Sequence, residues 1–176
     1  MLQPQIISAI ADVITATGII GGGIFAFIQW NNASKIKKAE FLKQIIFDTR
    51  FKEDYVKAMR VIDYDGNWYD DKFHNGNDNT EYLIDKYLSC LNYICYLKNE
   101  KVLSDNEFIA LKYTIDRTCQ NPQIKSYLWN LYHFCEKLKT KCSFQYLIDY
   151  GIKTKKIDRN EFENKENKIY KKHLNF

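Results

Sequence analysis

The sequence predicts an all-α protein with one N-terminal transmembrane helix followed by a cytosolic helical bundle of four to five helices. Three observations carry this. Ile6 to Ile28 is apolar apart from Asp12 and a few small polar residues. The only prolines are Pro4 and Pro122, so nothing interrupts a helical pattern from Lys35 to Asn121. Beyond the apolar run, large apolar residues return at spacings of three and four, the period of a helix with one buried face. The expected organisation is an anchor over residues 1–33, a bundle over 34–151 and a basic polar tail over 152–176.

The first segment has the length of a span, because about 23 residues at ~1.5 Å each cover roughly 34 Å against a hydrocarbon layer of ~30 Å. Eight Ile, Val13, Phe25 and Phe27 each favour insertion by roughly 0.3–0.6 kcal/mol, against about 2.5–3.5 kcal/mol for an aspartate at the bilayer centre. Asp12 lies toward the N-terminal end, where that cost falls. Met1 to Gln5 lack the basic residues of a cleaved signal peptide. Lys35, Lys37 and Lys38 follow the run and no basic residue precedes it, so the N-terminus is expected outside and the remainder in the cytoplasm.

At ~100° per residue this helix gathers Ala11, Asp12, Thr15, Gly18, Gly22 and Ala26 on one side, with Ile19 the only bulky member there, and the other large aliphatic and aromatic residues on the opposite side. Small residues let helix backbones approach closely in lipid, and Gly18 and Gly22 form a GxxxG pair, so the small face is read as an oligomerisation surface. A homo-oligomer embedded in membrane lipid is the expected state.

The next helix is expected from Ser34 to Ile62, with Phe41, Ile45, Phe51, Tyr55, Met59 and Ile62 along one side. Asp63 to Thr80, rich in Gly, Asn and Asp, reads as a long loop whose aromatics anchor it. Its Asp63, Asp65 and Asn67 lack the glycine and terminal glutamate of a calcium loop. A mostly apolar helix, Glu81 to Lys98, should sit centrally. Ser104 with Glu107 is a capping box opening a helix that buries Phe108, Leu111, Ile115 and Cys119 and ends before Asn121-Pro122. From Gln123 to Lys139, Ile124, Leu128, Leu131, Cys135 and Leu138 form a seam, which leaves Trp129 and His133 on the outer face. A last helix over Ser143 to Tyr150 is expected to stop at Gly151.

Residues 35–60 and the tail each hold eight Lys or Arg against four Asp or Glu, so the basic ends could lie against anionic lipid. The charge is too evenly mixed for a nucleic-acid duplex. Five cysteines, odd in number and without CxxC spacing, read as reduced core residues and imply a cytosolic setting. No spacing of His and Cys fits a metal, no glycine-rich loop fits a phosphate, and the three histidines have no partner motif, so neither enzyme activity nor a cofactor is expected. Lys43, Arg50, Lys52 and Arg117 are the positions expected to bind a small anionic ligand, gathered from several subunits. Trp68, Trp129 and His133 are expected to form a surface for a cytosolic protein partner.

The run YLIDKYLSCLNYICYLKNEKVLSDNEF, with YTIDR and YLWNLYHF after it, resembles small single-span bacterial membrane proteins of unknown function with a cytosolic helical domain, over roughly Glu81 to Phe134. In architecture these are similar to membrane effectors of antiviral defence. The resemblance implies a bacterial inner-membrane protein whose cytosolic domain receives a ligand, such as a nucleotide signal, or a protein signal and then alters the membrane. It supplies no binding residue. A passive membrane-anchored scaffold that docks a cytosolic partner is the alternative reading of the same residues.

Overall fold

The computed structural model describes the backbone of residues 4–64, 66–70, 73–75 and 79–170, and the side chains of the same residues except 4–14, 16, 50 and 75. These residues form seven α-helices, one 3-10 turn and no strand. The helices are α1 (Pro4–Phe51), α2 (Glu53–Tyr64), α3 (Thr80–Asn99), α4 (Asp105–Gln120), α5 (Pro122–Lys137), α6 (Gln145–Lys153) and α7 (Arg159–Glu163), with the 3-10 turn at Phe73–Asn75. The chain divides into two compact units, residues 1–44 and 45–176.

The first unit is helical from Pro4 onward. Among the described residues no helix is long and apolar enough to cross a membrane. The side chains of residues 6–14, the N-terminal part of the sequence-predicted span, lie outside the described ones.

The second unit opens with the last turns of α1. Thr49 is buried and its hydroxyl donates to the carbonyls of Ile45 and Ile46, at 2.9 and 3.1 Å. Such back-bonding competes with the helical ladder and bends helices. The helix expected to run unbroken to Ile62 is interrupted at Lys52, three residues on, and resumes as α2 with Glu53 and Asp54 in its first turn, where the helix dipole favours acids. α2 buries Tyr55, Ala58 and Ile62 and packs on α3.

α3 is the centre of this unit. It packs against α2, α4, α6 and the 3-10 turn, and its Ile84, Tyr87, Leu88, Leu91, Ile94, Cys95 and Leu97 are buried. The capping box of α4 forms as the sequence predicts, with Ser104 Oγ accepting from Glu107 N and the Glu107 carboxylate accepting from Ser104 N at 2.8 Å. Phe108, Leu111, Ile115 and Cys119 are buried along α4. Asn121 caps α5 by accepting from Gln123 N and Ile124 N, and its Nδ2 donates to the Ile62 carbonyl at 2.8 Å, so one side chain ties the start of α5 to the end of α2.

Two expectations are corrected here. Gly151 does not stop a helix; it lies buried inside α6, where a Cβ would come within 2.6 Å of Ile157 Cδ1. The missing side chain lets the chain turn back on itself, with Lys156 N and Ile157 N donating to the Gly151 carbonyl. The basic polar tail expected from residue 152 is not polar throughout its described part. Ile157, Phe162 and Tyr170 are buried, and α7 is capped by Asp158.

Candidate functional site

In the first unit the described side chains from Thr17 to Lys37 are all exposed. Ile19, Ile20, Ile24, Phe25, Phe27, Ile28 and Trp30 are 50–69% exposed, on both sides of the helix. A helix that is apolar around its circumference is normally buried, in a protein core or in lipid. Of the predicted oligomerisation residues, Thr15, Gly18, Gly22 and Ala26 are exposed, and a Cβ at Gly18 or Gly22 would meet nothing within 4 Å. Ala11 and Asp12 lie on the same helix, with side chains outside the described ones.

Of the four residues expected to gather around an anion from several subunits, the side chains of Lys43, Lys52 and Arg117 are described. Lys43 is exposed on the first unit. Arg50 falls outside the described side chains. In the second unit Lys52 lies 3.9 Å from Asp48, and Arg117 Nη2 lies 2.9 Å from Asp63, so a carboxylate already faces each of these two cations.

The predicted partner surface is also corrected. Trp129 is 1% exposed, Trp68 is 8% exposed, and the His133 side chain is 9% exposed. The seam assigned one buried face to α5, whereas Ser126 to Asn130 are buried all round. Two segments without helical signal in the sequence account for the difference. The stretch after α2 brings in Trp68, Tyr69 and Phe73, with Tyr69 and Phe73 packed edge-on against Tyr127 at 5.4 and 5.2 Å. The C-terminal segment covers the opposite end, where Tyr170 lies against Trp129 and His133 Nε2 donates to the Phe162 carbonyl at 3.0 Å. Leu138, assigned to the seam, is 54% exposed.

The sequence reading missed a polar cluster beneath that stretch. The Tyr127 hydroxyl donates to Asp85 Oδ1, Asn130 Nδ2 donates to the Tyr69 hydroxyl, and His74 Nδ1 lies 2.9 Å from Glu81. Burial raises the Asp85 carboxyl above the usual range, more strongly than the Tyr127 hydrogen bond lowers it. Asp85 and Tyr127 are 42 residues apart, so no local spacing could have paired them.

No protein family, curated protein or solved structure matches the chain. Burial pushes the thiols of Cys95, Cys119 and Cys142 up, Cys119 to about 12, which leaves them protonated and weakly nucleophilic at neutral pH. Among the described residues no three His, Cys, Asp or Glu groups come together as metal ligands.

Proposed function

We propose that this chain is a membrane-anchored, self-associating helical effector that works without catalysis. Its first unit embeds in lipid and its second unit receives a signal on the cytoplasmic side. The observation that carries the reading is the exposed run from Ile19 to Trp30. Taking those seven side chains out of water would contribute on the order of 10 kcal/mol, at roughly 1.5 kcal/mol each, comparable to the stability of a whole domain. Thr15 to Trp30 alone covers only roughly 24 Å, so a span needs the apolar residues 6–14 as well. Lys35, Lys37 and Lys38 would then lie at the cytoplasmic headgroups. Open space at Gly18 and Gly22 supports association through that face, since nothing within the described chain uses the absence of their side chains.

The scaffold reading loses its docking surface, because Trp68 and Trp129 serve the core. Carbonate washing of membranes from expressing cells tests the anchor, and retention in the pellet is the expected result. Gly18→Leu and Gly22→Leu test the assembly. They should reduce the oligomer size measured in detergent while helix content and the unfolding midpoint stay as in the parent. Release by carbonate would sink the anchor, and unchanged oligomers in both variants would sink the association.

A further inference from the structure

The second unit contains a cleft of about 510 Å³ between the end of α3, the turn that follows, the start of α4, and α6. That volume is in the range of small-molecule sites. Buried Cys95 and Leu103 line it together with the half-exposed ring of Tyr146, and three lysines, Lys98, Lys101 and Lys153, come from three different segments. An apolar lining with a few charged groups at its edge is what an orienting pocket requires.

Asp105 shows where an anion is held. Its side chain is 94% exposed, yet Lys98 Nζ sits 2.5 Å from its carboxylate and also lies over the Phe108 ring. The Lys98 hydrogen bond, helped by the charges of Lys98 and Lys153, keeps the Asp105 carboxyl below the ordinary range. Nothing buries Asp105, so rotating it into solvent is cheap. Three ammonium groups would then face one remaining lining carboxylate, Asp149, which accepts from Gln145 at 2.8 Å. The surplus of two positive charges matches a phosphate near neutral pH, and lysines bind phosphate as point charges.

We propose that this cleft binds a phosphate-bearing small molecule whose anionic group takes the place of the Asp105 carboxylate beside Lys98 and Lys153, with its organic part against Leu103 and Tyr146. The phosphate belongs either to a soluble ester or to a phospholipid headgroup. The site does not depend on the reading of the first unit.

The test is titration of the full isotope-labelled chain, in neutral detergent, with pyrophosphate and with sodium chloride of matched ionic strength, followed by amide chemical shifts. Pyrophosphate shifts confined to residues 98–105 and 146–153 are expected. Lys101→Gly and Lys153→Gln should each weaken binding by up to about fivefold, the worth of one partly solvated charge contact. Asp105→Asn should strengthen it by a similar factor, a gain that misfolding cannot produce. Lys155→Gly, a lysine outside the cleft, should leave the affinity unchanged. Equal shifts with sodium chloride, or no gain in Asp105→Asn, would overturn the site. Adding phosphatidic acid, whose headgroup is a phosphate monoester, to phosphatidylcholine bilayers separates the sources. Shifts of the same amides there assign the headgroup, shifts with pyrophosphate alone assign a soluble ester, and shifts with neither reject the proposal.

Discussion

Two helices of this chain are rich in large aliphatic and aromatic residues and end in opposite environments. In α1 the large residues from Ile19 to Trp30 are exposed, whereas in α3 Ile84, Leu88, Leu91 and Ile94 are completely buried. Apolar content alone does not separate them. The difference lies in the polar residues set between the apolar ones. α3 interrupts its apolar surface with groups that find partners, as Asp85 does with Tyr127, Lys86 with Asp54 at 2.5 Å, and Asn92 with the Leu147 amide at 3.0 Å. Between Gly18 and Ile28 α1 has no side chain that could make such bonds. A helix without polar anchors has nothing with which to choose a register against a protein core, and it suits a surrounding that asks for none.

The comparison can be broken most directly by truncating one large aromatic residue in each unit. Trp129→Ala should cost about 3–5 kcal/mol in a denaturant-unfolding measurement, the usual effect of emptying a buried aromatic site. Phe25→Ala should change the same transition by less than about 0.5 kcal/mol, because an exposed side chain is removed. Comparable losses would show that Phe25 belongs to the cooperative core and would remove the distinction.

A smaller effect sharpens the account of polar anchors. Asp116 joins α4 to α6 by accepting from Tyr150 at 2.7 Å and from Lys112, and Lys156 lies 4.0 Å away. Burial works to raise its carboxyl, but those bonds and charges outweigh it and leave the folded value below the ordinary one. Its stabilising contribution is therefore complete above the unfolded value of about 3.9 and fades as pH falls through the lower folded value. Asp85 behaves in the opposite sense, since its raised folded value makes its ionisation destabilising as pH increases. Asp116→Asn should lose about 1–2 kcal/mol at pH 7 and less in acid. Asp85→Asn, which keeps an acceptor for Tyr127, should gain stability at pH 7 and match the parent in acid. Unfolding curves at several pH values decide both, and parallel shifts across pH would contradict the assignment.

The smallest expected effect concerns helix ends. Lys101, Lys139 and Lys155 follow α3, α5 and α6 with φ of 55–58°, the left-handed conformation in which glycine is favoured. Each of those helices closes with amide-to-carbonyl bonds such as Thr140 N to Cys135 O at 2.9 Å. Lys139→Gly should raise the stability of the second unit by up to about 1 kcal/mol, because it relieves the left-handed backbone but gives up a favourable charge at the helix end. A lower unfolding midpoint would mean that the charge matters more than the backbone.

Much of the second unit was legible locally. The Ser104–Glu107 box, the Asn121-Pro122 boundary and the inward line Phe108, Leu111, Ile115 and Cys119 depend on neighbours within a few residues, and each appears where the sequence places it. The reading failed where burial comes from distant segments. A helical wheel assigned one inner face to α5, but Trp129 is covered by Tyr170 and Tyr127 by the stretch around Phe73, and no periodicity announces either. Gly151 looked like punctuation because glycine commonly follows a helix, and only the return of Ile157 shows that its lack of a side chain is used for packing. Charge alone marks Lys43, Arg50, Lys52 and Arg117 in the sequence, while the three lysines of the cleft are assembled by the end of α3, the turn after it and α6.

By itself the amino-acid order determined that the chain is helical, where most helices begin, and which stretch carries no polar anchors, because capping and periodicity act within one or two turns. Only the tertiary structure decided that α5 is enclosed, that the C-terminal segment belongs to the core, and that Asp63, Asp85 and Asp116 each meet a specific partner. Those outcomes depend on contacts between residues about thirty to sixty positions apart, whose formation rests on the packing of the whole unit rather than on any local preference.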